Sequence, residues 1–293
     1  RGDWSSDVCS SDLKRVPWIF ELRDLWPDTI SAVNAINSKV IIKFLEKIEL
    51  SLYKDSDKVI PVTNSFKENL IIRGIDKDKI DVITKGANLD LFVRCNNKSL
   101  LKELDLENKF IIGYIGTHGL CHGLDFIIEC IPHVDIENAH FLFIGDGATK
   151  NDLIKQSDLQ SIKNITFLDS IKKDDVPKYL SICNIALVPL KKDETFQNVI
   201  PSKIFEAAAL QVPILLGVDG ESRLIIENYC AGIFYKPEDP NDFIHKIQMF
   251  KENFFYDKCQ RGCKDLAENY NRKKLANNML DIINNVYLEN KNK

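Results

Sequence analysis

The sequence has no excess of positive charge: 39 Lys and Arg stand against 43 Asp and Glu, a formal net charge of −4. That balance excludes the broad electrostatic footprint of a nucleic-acid binder, so any phosphate recognition has to be local. No apolar run approaches the roughly 18 residues that a membrane-spanning helix needs. The eight cysteines do not cluster, and only Cys259 and Cys263 lie one helical turn apart. This excludes a disulfide framework and a zinc site of ordinary spacing, and leaves reduced thiols. There is no internal repeat and no long low-complexity tract. What is present, 44% hydrophobic and 28% charged residues over 293 positions, suffices for a core in each of two domains.

Residues 1–13 are rich in Ser and Asp and aperiodic, and are expected to be a non-native or disordered tail outside the fold. Val16–Leu22 reads as a strand that runs into the polar loop Arg23-Asp24-Leu25-Trp26-Pro27. From Asn37 to Lys54, Ile41, Phe44, Leu45, Ile48 and Leu52 recur at helical spacing, which predicts a helix packed on a sheet. A membrane-surface helix is the alternative, its positive face diluted by Glu46 and Glu49. A strand at Lys58–Thr63, a helix from Asn64-Ser65 to near Gly74 and a strand at Lys79–Thr84 follow. These elements make only the later part of a doubly wound domain over residues 14–92, so its first strands are expected to lie outside this sequence. Residues 93–108 are polar and mixed, as a linker would be.

Residues 109–271 hold a complete alternation. Strands are expected at Phe110–Ile115, His140–Ile144, Ile165–Leu168, Ile185–Pro189, Ile214–Leu216 and Ile233–Tyr235. Helices are expected at Leu124–Ile131, Lys150–Gln156, Val176–Ile182, Ser202–Leu210, Ser222–Asn228 and Pro240–Phe250. Strict alternation implies a parallel sheet with right-handed crossovers, an α/β fold of the Rossmann-like, doubly wound kind. A last amphipathic helix from Arg272 to about Tyr287, within 272–293, is expected to cross to the first domain.

In such a sheet a ligand lies beyond the carboxyl ends of the strands, which selects three loops. The first is Gly113-Tyr-Ile-Gly116-Thr117-His118-Gly119 with His122-Gly123 beyond it. Glycines let backbone approach a phosphate, and His118 and His122 can donate to phosphate or sugar oxygens, although a structural turn explains such a loop equally well. The spacing is not that of a dinucleotide fingerprint, which argues against a nicotinamide-dependent dehydrogenase. The second runs from Asn198 through Pro201-Ser202-Lys203-Ile-Phe-Glu206 to Ala207-Ala-Ala209. Here Ser202 opens a helix, Lys203 suits a diphosphate, and Glu206 suits the two hydroxyls of a ribose. The plain alternative is a solvated Lys–Glu pair. In the third, Val218-Asp219-Gly220-Glu221-Ser222, Glu221 either accepts from sugar hydroxyls or simply favours a helix N-terminus.

Taken in order, Glu21-Leu-Arg-Asp-Leu-Trp-Pro27, Gly113-Tyr-Ile-Gly-Thr-His-Gly119, Phe143-Ile-Gly-Asp-Gly147, Pro201-Ser-Lys-Ile-Phe-Glu206 and Gly220-Glu221 resemble retaining glycosyltransferase family 4. That family has the two-domain GT-B fold, and its WbuB-like group works in cell-surface polysaccharide assembly. The resemblance covers about Arg15 to Asn271. It implies a nucleotide diphosphate sugar such as a UDP-sugar as donor, and a saccharide or lipid-linked acceptor met at the inner face of the cell membrane. Cytoplasmic location with peripheral membrane contact, no metal, no other cofactor and no nucleic-acid partner follow from it. Glu206 matches the carboxylate that holds the donor ribose, and residues 116–119 lie near the diphosphate. Lys203 is assigned to the diphosphate on its own chemistry, with Lys191 or Lys192 as helpers, and the base is expected near Ser170 and Leu190.

The sequence also departs from the family. Asn198 stands where most members have Glu, Thr117 and His122 stand where many have Arg and Lys, and Arg23, followed by Asp24, stands where many have His. Arg23 and Asp24 are candidates on the acceptor side, and no catalytic acid or base is assigned. A nucleotide-sugar epimerase of the same fold and a fragment that binds nucleotide sugar without turnover are the competing readings.

Overall fold

The computed structural model describes residues 16–23 and 38–291. The tail 1–13 and Asp24 lie outside the described residues. The chain divides into two compact units, one formed by the described residues before Gly86 together with those from Lys273 on, the other by Gly86–Arg272.

In the first unit β1 (Ile19–Leu22) pairs in parallel with β2 (Lys58–Pro61), joined by α1 (Lys39–Asp55) and followed by α2 (Asn64–Ile72). Thr63 caps α2, its hydroxyl accepting from the Phe66 N–H at 3.1 Å. The segment expected as a strand at Lys79–Thr84 runs along β2, with the Asp81 and Ile83 N–H groups donating to the Val59 and Pro61 carbonyls. It makes one isolated bridge at Ile80 and no regular strand. The face of α1 also differs from expectation. Ile41, Phe44 and Ile48 are exposed, while Glu49 and Tyr53 are buried. A carboxylate tolerates that position because Arg73 meets it at 2.6 Å and the Tyr53 hydroxyl donates to it. The terminal helix α11 (Arg272–Lys291) groups with this unit from Lys273 on; Val286 is buried and the Asn290 amide donates to Asp57 at 3.1 Å.

The second unit is a six-stranded, all-parallel sheet in the order β5-β4-β3-β6-β7-β8, formed by β3 (Phe110–Ile115), β4 (Ala139–Ile144), β5 (Ile165–Leu168), β6 (Ile185–Pro189), β7 (Ile214–Gly217) and β8 (Gly232–Phe234). The chain winds outward from β3 to β5, returns to β6 beside β3 and winds the other way, so the topological switch point falls between β3 and β6. Period-two alternation distributes each strand between two cores. Ile111, Leu142 and Ile144 enter one, whereas Ile112, Tyr114, Phe141 and Phe143 enter the other. Every residue of β4 and β6 is buried, as a sheet covered on both faces requires.

Residues 93–108, expected as a linker, hold a short helix α3 (Lys98–Glu103) and bury Leu100 and Leu106 in the first of these cores. The crossovers are α4 (Leu124–Cys130), α5 (Lys150–Leu159), α6 (Val176–Ser181), α7 (Lys203–Ala209) and α8 (Glu221–Tyr229), and α9 (Pro240–Gln248) follows the last strand. After them comes α10 (Asn253–Asn269), a helix that the sequence reading does not contain. Its buried face is Cys259, Gly262, Cys263, Leu266 and Ala267, too poor in large aliphatic residues to register as a hydrophobic stripe. The two cysteines are packing groups, and the Cys263 thiol donates to the Ala231 carbonyl at 3.1 Å.

Candidate functional site

Beyond the carboxyl ends of β3, β4 and β5 a cleft of about 380 Å³ opens. Gly116 and Thr117 line it from the loop after β3, Asp146 from the loop after β4, Ser170 and Lys173 from the loop after β5, and Ser202, Lys203 and Glu206 from the start of α7. Two expected clusters distant in sequence therefore meet in one place.

The close meeting of Lys203 with the β3 loop depends on glycine. A Cβ on Gly116, where φ is +150°, would stand 2.5 Å from both Cε and Nζ of Lys203. One on Gly145, φ +148°, would run into the Gly116 carbonyl, so the β3 and β4 loops stack backbone on backbone. The Gly116 N–H donates to the Ile144 carbonyl at 2.8 Å and the His118 N–H to Asp146 O at 2.8 Å, which fixes the loop to the end of β4.

The Lys203 ammonium donates to the Tyr114 hydroxyl at 3.0 Å and lies 4.1 Å from the centre of that ring. Burial lowers its pKa to about 8, with the carboxylate of Glu206 pulling the other way. Burial raises the Glu206 carboxyl above its usual range, offset by Lys173, Lys203 and Arg272. Lys203 turns to Tyr114 rather than to Glu206, so the two are not a solvated side-chain pair on a helix surface. A cation and a carboxylate, each mostly removed from water, share one wall of the cleft at the start of α7.

His118 is not a ligand-facing donor. It is fully buried, with its ring against Tyr114, Phe143 and Phe167, and neither ring nitrogen has a hydrogen-bond partner among the described residues. Desolvation, with Lys150 and Lys203 nearby, lowers its pKa to about 4, so it is neutral at pH 7. Its backbone, not its ring, serves the loop. His122, whose pKa is lowered to about 4 chiefly by burial, stands edge-on to Tyr114 and does not line the cleft. Gly119 precedes the short turn that carries His122 and has an ordinary extended backbone, φ −107°.

Asn198 ends a one-turn helix at Glu194–Asn198, and Glu221 opens α8 near Tyr270; neither lines the cleft. Lys191 pairs with Asp125 at 3.7 Å, and with Lys192 and Leu190 it borders a separate cavity of about 540 Å³ beyond β6, β7 and β8. Of the two positions named for the base, Ser170 alone is in the cleft. Arg23 is exposed and lies 3.6 Å from Glu21. Tyr114, Asp146 and Lys173 are the site residues that sequence reasoning missed. The available signals were a hydroxyl inside an apolar strand, an acid between two glycines, and a basic pair directly after β5.

The sequence pattern of one family, described as glycosyl transferases group 1, matches residues 97–284, more than half of the chain. The chain belongs to this family. Among curated relatives, it is 23% identical over 232 residues to "Putative teichuronic acid biosynthesis glycosyltransferase TuaH" of Bacillus subtilis (strain 168), covering 77% of this chain and 56% of that protein. It is 23% identical over 256 residues to "UDP-Gal:alpha-D-GlcNAc-diphosphoundecaprenol alpha-1,3-galactosyltransferase" of Escherichia coli, covering 83% and 63%. The chain thus spans less than two thirds of the length of these relatives. Among solved structures, Anabaena Alr3699/HepE in complex with UDP superposes with a TM-score of 0.81 at 14% identity, over 95% of this chain and 75% of that one. The family and this likeness make the fold GT-B, an α/β architecture of parallel, Rossmann-like sheets. Among the described residues no helix is long and apolar enough to cross a membrane, and no group of three His, Cys, Asp or Glu side chains is placed to hold a metal ion.

Proposed function

We propose that this chain is the donor-binding part of a retaining glycosyltransferase of family 4, WbuB-like, acting in cell-surface polysaccharide assembly. The observation that carries the reading is the convergence of Lys203, Glu206 and the glycine-hinged loop at Gly116 on one cleft at the strand ends. The donor is a nucleotide diphosphate sugar, hexosyl or N-acetylhexosaminyl. Glu206 accepts from the ribose hydroxyls, the Lys203 ammonium faces the diphosphate, and the base lies toward Ser170. The relatives' names support this choice: one is a UDP-galactose-dependent transferase acting on a diphosphoundecaprenol-linked sugar, and the Anabaena protein was crystallised with UDP.

In the reaction the bond between the anomeric carbon and the β-phosphate oxygen breaks, and its electron pair leaves with the nucleoside diphosphate. The acceptor hydroxyl oxygen forms the new bond on the same face of the sugar, and its proton passes to the departing β-phosphate oxygen. Lys203 stabilises the charge that grows on the departing phosphate, a charge-assisted contact that is stronger in the transition state than in the ground state. The proposal needs no metal, because the Lys203 ammonium supplies the positive charge at the diphosphate.

The acceptor is a lipid-linked saccharide at the inner face of the cytoplasmic membrane. The exposed Val40, Ile41, Phe44 and Ile48 of α1, with Lys43 and Lys47 beside them, give the peripheral membrane contact. Incubation with UDP- and GDP-sugars and a diphospho-lipid-linked saccharide tests the reading. It predicts a product with the donor's anomeric configuration, without added metal. An inverted product, or epimerised donor, would contradict it.

A further inference from the structure

Tyr114 is fully buried in the last turn-out of β3, and its hydroxyl does two things at once. It donates to the Thr117 carbonyl at 2.6 Å and accepts from the Lys203 ammonium at 3.0 Å. The same ammonium lies 4.1 Å from its ring centre, a cation–π contact in a desolvated setting. Among the described residues this hydroxyl is the hydrogen-bond acceptor of Lys203, and Gly116 is bare so that the ammonium can pass. A phenol in a strand core ordinarily satisfies itself with one backbone partner; here the second partner belongs to another element, 89 residues away.

We propose that Tyr114 is a positioning residue that locks the Lys203 ammonium and the Gly116–Thr117 backbone into a single preformed diphosphate cradle. The proposal rests on the donor-site reading above. The charged and titratable groups around the pair are Glu206 on α7, His118 on the β3 loop, and Cys121 and His122 on the following turn, with Lys173 and Arg272 acting on Glu206 and Lys150 and Asp146 on His118. Both imidazoles are neutral at pH 7, and Lys203 is the cation that meets the Tyr114 hydroxyl. Without the hydroxyl, the ammonium loses its acceptor and the loop carbonyl its donor, while the ring and its packing remain.

The experiment uses Tyr114→Phe on the full chain, with calorimetric titration of UDP and of uridine and an NMR titration of the Lys203 side-chain methylene, assigned by its absence in Lys203→Met. The expected result is a roughly tenfold loss for UDP with uridine unchanged, and a Lys203 midpoint below the wild-type value of about 8, because an acceptor of the charged form has gone. An unchanged midpoint overturns the proposal, whatever happens to UDP. A wild-type chain that binds UDP no better than uridine overturns the donor-site reading instead, and the midpoint still decides whether Tyr114 holds the ammonium. Should Tyr114→Phe not fold, Gly116→Ala displaces the ammonium, on which its methyl would close to 2.5 Å, while it meets the phenol oxygen only at an ordinary contact of 3.7 Å. It is expected to give the same loss for UDP alone and a moved Lys203 midpoint, and an unmoved midpoint there overturns the proposal too.

Discussion

Replacing Lys203 by methionine separates the function of the buried cation from its cost. In the folded chain burial holds the ammonium pKa at about 8, against 10.5 in a solvated lysine. Each pH unit of that depression is worth about 1.4 kcal/mol, so at pH 7 the charge costs the fold at most about 3 kcal/mol. Methionine keeps the stem and removes the charge, so the cost of desolvating that charge goes with it. The Tyr114 hydroxyl keeps its donation to Thr117 O. Lys203→Met is therefore expected to be more stable than wild type by about 1–3 kcal/mol at pH 7 in urea unfolding. Because the lysine pKa is lower folded than unfolded, the unfolded chain binds more protons between pH 8 and 10.5, and wild-type stability gains from this group as pH rises through that window. The gap to the methionine variant should therefore close toward pH 10. The same substitution should remove the preference for UDP over uridine. A variant less stable than wild type at pH 7, or a gap that widens with pH, would refute the reasoning.

Glu206→Ala should weaken UDP and uridine alike by about 1.5–3 kcal/mol, since its contacts are charged hydrogen bonds to the ribose; a loss confined to UDP in calorimetry would move Glu206 to the diphosphate. His118 and His122 are held neutral with pKa values of about 4, below the unfolded value of about 6.5. The unfolded chain then takes up more protons as pH falls from 6.5 to 4, so stability drops through that window, partly opposed by Glu206, whose pKa is raised. His118→Phe, matched to its aromatic cage, should flatten the urea-midpoint profile between pH 6.5 and 4, and an unchanged slope counts against a buried neutral ring. Gly145→Ala, which drives a methyl into the Gly116 carbonyl, should abolish UDP binding in calorimetry and lower the melting temperature; near-wild-type behaviour on both would show that the two loops do not stack. Phe44→Ser with Ile48→Ser should reduce sedimentation with anionic vesicles and leave the melting temperature unchanged, as the side chains are exposed; if sedimentation is unaffected, α1 is not the membrane contact.

The alternation of strands and helices over Phe110–Gln248 was legible because each strand is a short apolar run closed by a polar or glycine turn, and the starts of β3, β5, β6 and β7 fall where the pattern puts them. Pattern failed where burial uses small or polar groups. α10 packs through Cys, Gly and Ala, and α1 buries Glu49 rather than Phe44 because a partner at Arg73 makes the carboxylate tolerable. Residues 93–108 looked like a linker because α3 contributes only Leu100 to the core, with Leu106 just beyond it. In the cleft, the pairing of Gly116–Thr117 with Ser202, Lys203 and Glu206 was legible from the rule that ligands sit at strand ends. That neither histidine side chain faces the cleft was not, because it depends on how the Gly145 and Gly147 loop packs on the backbone of Gly116 and His118, with the His118 ring buried. Tyr114 was invisible for the same reason: its hydroxyl matters only once Lys203, far away in sequence, arrives beside it.

The most direct test is calorimetric titration of the chain with UDP, GDP and NAD, first without metal and then with magnesium. The account predicts metal-independent binding of UDP or GDP that falls to the level of the bare nucleoside in Lys203→Met. Binding of NAD alone, or nucleotide binding that is absent without magnesium, would contradict it.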